Sequence, residues 1–82
     1  MTIWKFPLQV TDVQHIQVPG HVETLCVQLQ GDKPVVWVSC IPGQPNKLRT
    51  IRIYGTGQSG VMGIYIGTFQ EGPFVWHVFE DR

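Results

Sequence analysis

The chain has 82 residues, enough for one small domain and too few for two. Six Lys and Arg balance six Asp and Glu, so it lacks the cationic excess that gripping a nucleic-acid polymer requires. With two cysteines, no CxxC pair and no Cys/His cluster, it has neither a disulfide framework nor the ligand set of a structural zinc site.

In chain order, period-2 alternation recurs and no helical stripe survives the scattered Pro and Gly residues. Residues 3–8 predict a first strand ending at Pro7, because proline is tolerated only at strand ends and edges. Gln14–Val18 predicts a second, stopped by the turn dipeptide Pro19-Gly20. Thr24–Gln30 alternates most clearly, which puts Leu25, Val27 and Leu29 on one face and Thr24, Cys26, Gln28 and Gln30 on the other. Gly31-Asp32-Lys33 then turns the chain into Pro34–Ile41, an apolar run read as a strand buried on both faces, so 24–41 predicts a hairpin.

After the loop 42–46, Lys47–Tyr54 alternates again, with Ile51 and Ile53 inward and Thr50, Arg52 and Tyr54 outward. The glycine-rich loop Gly55–Gly60 leads to predicted strands Val61–Phe69 and Phe74–Glu80, joined by residues 70–73. Turn signals every 8–12 residues or so predict an all-β fold: one domain over residues 1–82, a compact small sandwich or barrel of about six to seven short antiparallel strands.

A core this small is marginal, and with no metal and no disulfide framework the expected stabiliser is a homo-oligomer. Cys26 and Cys40 fall in adjacent predicted strands, where they either face each other or stand as two separate thiols. The chain opens without the charged and apolar regions of a signal peptide, and no apolar run reaches the ~20 residues of a membrane-spanning helix. The expectation is a cytosolic protein with no membrane partner.

The richest chemistry lies between Arg52 and Phe79, which holds six of the nine glycines. The segment 55–60 spells G-x-G-x-x-G, but a predicted strand follows it, so the helix start that a dinucleotide fingerprint needs is missing. It is either a hairpin loop needing positive φ or an anion-binding turn in which backbone N–H groups, Thr56 and Ser59 act as donors. Arg49 and Arg52, with Lys47 on the same strand, suffice for one or two phosphates. Trp76 shares a face with Phe74 and Val78, while His77 shares the other with Val75 and Phe79. Each is a core or interface residue, or a stacking or hydrogen-bonding partner for a ligand. No pair of carboxylates and no G-x-S-x-G motif suggests hydrolysis, and no cofactor motif is present, so the chain reads as a non-enzyme.

The motifs Tyr54-Gly55-Thr56-Gly57, Tyr65-Ile66-Gly67-Thr68 and Phe74-Val75-Trp76-His77-Val78-Phe79 resemble a family of very short, uncharacterised proteins of bacterial viruses and prophages. The likeness runs over residues 3–80 and implies no settled activity. It does suggest a comparison with phage "sponges", oligomers that sequester nucleotide-derived immune signals in the host cytoplasm without catalysis. On that comparison the ligand-binding set is Arg49, Arg52, Tyr54, Gly55, Thr56, Gly57, Ser59, Tyr65, Trp76 and His77. The competing expectations are a protein–protein interaction module that inhibits a host protein and a small virion or assembly component.

Overall fold

The computed structural model describes all residues, Met1–Arg82. Seven antiparallel strands form two sheets, and there is no helix. The strands are β1 (Thr2–Pro7), β2 (Val13–Pro19), β3 (His21–Gln30), β4 (Lys33–Cys40), β5 (Asn46–Gly55), β6 (Ile64–Glu71) and β7 (Phe74–Glu80). One sheet has the order β1-β4-β3 and the other β2-β5-β7-β6. Cα extents of 40 × 29 × 16 Å fit two stacked layers.

The core lies between the sheets and obeys strand parity where strands are regular. Val36, Val38 and Cys40 of β4 face Ile16 and Val18 of β2, Ile51 and Ile53 of β5, and Val78 of β7, all buried. Gly20 makes the corner where β2 leaves one sheet and β3 enters the other. Its φ is +51°, and a β-carbon there would lie 2.6 Å from the Ile41 carbonyl oxygen, so only glycine fits.

β3 departs from the expected alternation. Opposite β4, His21 pairs Cys40, Thr24 pairs Val38 and Val27 pairs Val36, with register shifts between His21 and Glu23 and between Thr24 and Cys26. Two bulges therefore insert Val22 and Leu25 as extra residues, and the inward face is read at every third position. Of the three leucine and valine residues expected inward, only Val27 is buried; Leu25 and Leu29 are exposed. β6 carries a third bulge at Ile66, which lets Ile66 and Phe69 both reach the core. β6 starts at Ile64 rather than Val61, because residues 61–63 still belong to the loop, which Tyr54 clasps by accepting the Met62 N–H at 3.3 Å. The cysteines lie on opposite faces of their sheet: Cys40 is buried, while Cys26 pairs Trp37, one step out of phase with the inward residues, and both are free thiols.

The β3 bulges have an electrostatic consequence. They aim His21 and Thr24 at the end of the core, where Glu80 is buried. Thr24 Oγ1 donates to Glu80 Oε2 at 2.6 Å, and Arg49 Nε donates to the same oxygen at 3.0 Å. His21 Nε2 lies 2.9 Å from Thr24 Oγ1. Because that hydroxyl gives its only proton to Glu80, His21 donates through Nε2–H.

Burial lowers the His21 pKa from its ordinary 6.5, and the Arg49 and Lys47 charges add to this while Glu80 opposes it. The native state therefore favours neutral imidazole. Its contribution to stability is complete above 6.5 and is lost as pH falls through the lowered native value. Thermal melts should show a drop in Tm just below pH 6.5 that His21→Asn makes shallower. Asp81, whose carboxylate is held below its ordinary 3.8 by the Arg52 hydrogen bond, loses its share only in stronger acid, so the two effects separate. A melt profile identical in parent and His21→Asn would refute this.

Candidate functional site

The outer face of the four-stranded sheet carries the densest chemistry. Across β5, β7 and β6, register places Tyr54 beside His77 and His77 beside Thr68, while the next row holds Arg52, Phe79 and Tyr65. Alternation brings Arg52, Tyr54, His77 and Phe79 to one surface, and the bulge at Ile66 keeps Tyr65 and Thr68, three residues apart, on it together.

Three rings meet edge to face in one cluster. Tyr54 meets Phe79 edge to face at 5.7 Å between centroids, and Tyr65 meets the same Phe79 at 5.5 Å. Above it runs a chain of four polar groups. His77 Nε2 lies 2.8 Å from Thr56 Oγ1, His77 Nδ1 lies 3.2 Å from Thr68 Oγ1, and that hydroxyl lies 2.6 Å from Tyr65 OH. A neutral imidazole has one donor and one acceptor nitrogen, so the whole chain can run in either direction. In one direction Tyr65 offers its O–H outward; in the other it offers a lone pair. The site can thus present a donor or an acceptor without moving an atom heavier than hydrogen.

Rings and hydroxyls converge on an open hollow of about 210 Å³ lined by Tyr54, Gly55, Thr56, Gly57, Gln58, Val61, Tyr65, His77 and Phe79. Six of the ten residues singled out from sequence line it: Tyr54, Gly55, Thr56, Gly57, Tyr65 and His77. Ser59 is exposed on the loop and does not line it. Arg52 sits in the adjacent row beside Phe79, and Asp81 binds it through both oxygens, at 2.8 Å from Nε and 3.1 Å from Nη2. That hydrogen bond raises the Arg52 pKa and lowers that of Asp81.

Two expected members lie elsewhere. Arg49 shares parity with Ile51 and Ile53, so it points between the sheets to Glu80, away from Arg52. Trp76 packs against the core on the side of β7 opposite His77. It stacks on Phe74 at 5.8 Å and lines a separate hollow of about 320 Å³ with Gly55, Thr56, Pro73, Phe74 and Val75. Two of the loop's N–H groups are engaged within it: Gly55 N–H donates to Gln58 Oε1 and Gln58 N–H to Gly55 O.

Thr68, Phe79, Gln58 and Asp81 are not in the ligand-binding set expected from sequence. Thr68 had a signal: counting back from the turn at Gly72-Pro73 puts it opposite His77. The Thr56–His77 separation suits a nucleophile and its base, but the second imidazole nitrogen meets a hydroxyl, not a carboxylate that would stabilise imidazolium. No three His, Cys, Asp or Glu side chains converge as a metal ion would need.

The family described as a domain of unknown function (DUF7352) matches residues 1–82. No curated protein and no solved structure matches the chain.

Proposed function

The chain belongs to the DUF7352 family, and we propose that it is a non-catalytic binding protein that holds a small nucleotide-derived ligand on the outer face of its four-stranded sheet. The observation that carries this reading is the convergence of three rings and a reversible hydroxyl–imidazole chain on one hollow. A nucleobase needs a ring face to stack on and an edge-on partner able to donate or accept; Tyr65, the exposed ring of the edge-to-face cluster, supports the first and the hydroxyl–imidazole chain the second. Arg52 is the cation within reach of an attached phosphate, which must compete with Asp81 for it. The resemblance to short phage proteins supports sequestration of an immune signal in the host cytoplasm as the biological use.

A thermal-shift panel of nucleosides, mononucleotides, cyclic oligonucleotides and ADP-ribose variants should reveal a ligand, since binding raises apparent stability. By calorimetry, Tyr65→Ala should then weaken it about tenfold or more, as losing one stacking ring costs roughly 1–3 kcal/mol. Arg52→Ala should weaken a phosphate-bearing ligand, with Arg52→Lys recovering only part. Asp81→Asn should tighten that ligand and leave the nucleoside unchanged. A panel with no stabilising compound, or full affinity in Tyr65→Ala, would sink the proposal.

A second reading, a protein-binding module, is favoured by Val61, Met62, Ile64 and Tyr65, an exposed and uncharged run beside the hollow. Unlike the first, it predicts loss of a protein partner in Met62→Lys with no effect on small molecules.

A further inference from the structure

The two sheets have four edge strands, and three of them are blunted. β3 carries two bulges. β6 carries one, and the β3 backbone lies against it at Gly67. β2 ends in Pro19, and apart from Val13 its exposed side chains are His15 and Gln17. Bulges, prolines and polar side chains are the usual devices that stop one open edge from pairing with another.

β1 has no bulge and no proline before Pro7, which closes it as Pro19 closes β2, and its polar side chains are Thr2 and Lys5. It runs against β4 through six successive pairs without a shift. Ile3 is 61% exposed and Trp4 40% exposed, and they point to opposite faces of the strand. Its only charge is Lys5, whose ammonium donates to Gln30 on β3. Since β4 separates β1 from β3, that bond draws the lysine across the sheet and away from the free edge.

We infer that β1 pairs antiparallel with β1 of a second copy of this chain, joining two three-stranded sheets into one. A straight row of unpaired backbone N–H and C=O groups is matched only by another strand, and a two-fold axis lets the same edge serve both copies. Pairing covers apolar side chains on both faces at once. Repulsion between copies is small, because the chain has zero net charge and Lys5 is turned inward. This interface lies on the other sheet from the ligand hollow and stands independently of it.

Light scattering at micromolar concentration should give twice the 9.3 kDa chain mass for the parent protein. Ile3→Lys, which restores a charge to the edge at an exposed position, should give a folded monomer, whereas Met62→Lys should remain dimeric. Hydrogen exchange on the parent supplies a second measure that does not depend on any variant: the Thr2–Phe6 amides that point away from β4 should gain protection as concentration rises. A monomeric parent, or a dimer that Ile3→Lys leaves intact, overturns the proposal.

Discussion

Replacing Gly67 with alanine should cost about 3–4 kcal/mol, adding overpacking to backbone strain. A β-carbon at this position would lie 2.7 Å from the Val27 carbonyl oxygen and 3.0 Å from both the Val27 nitrogen and β-carbon, with φ at +156°. Two of those three atoms are backbone, and Val27 is held in register opposite Val36, so relief requires β3 to slide or β6 to lift. A domain of this size has only about 4–12 kcal/mol in total. Tm should fall by roughly 12–30 °C at 4–8 °C per kcal/mol. Gly57→Ala is the control, since nothing lies within 4 Å of its added carbon and only the positive φ is strained, for about 1 kcal/mol. Equal melting of the two variants would contradict the close approach of β3 and β6.

Glu80→Ala should destabilise by about 3 kcal/mol, the lower end of what breaking a buried ion pair costs, because Arg49 keeps some contact with water. The substitution strips the acceptor from Thr24 and leaves the Arg49 guanidinium facing a partly closed apolar end of the core. Adding Arg49→Met should recover part of the loss, since a missing pair is less harmful than half of one. Urea denaturation of the two single variants and the double gives the coupling. Additive losses would mean that the pair is solvent-like and that burial of Glu80 is inconsequential.

Sequence pattern was a sound guide wherever a strand is regular. Ile51 and Ile53 inward, with Arg52 and Tyr54 outward, follows from period 2 alone, and so does the division of Trp76 from His77. That parity already assembles most of the hollow. It fails where an extra residue shifts the phase. In β3, His21, Thr24 and Val27 face inward at a spacing of three, which resembles no strand template and sends Leu25 outward. Composition groups Arg49 with Arg52, although parity with Ile51 assigns Arg49 to the opposite face. Capture of Arg52 by Asp81 was illegible for a different reason: the partners are 29 residues apart and meet only because β5 pairs with β7.

The bulges of β3 also bear on how this chain can change length. Val22 and Leu25 are surplus to the ladder, so losing either leaves His21, Thr24 and Val27 with their partners on β4. Gaps in an alignment of relatives should therefore open opposite these two residues, and a gap there need not mark a misplaced strand. Loss of both would have a different penalty. The core would be unchanged, but β3 would become straight, and a second edge would be open to pairing with whatever strand it met.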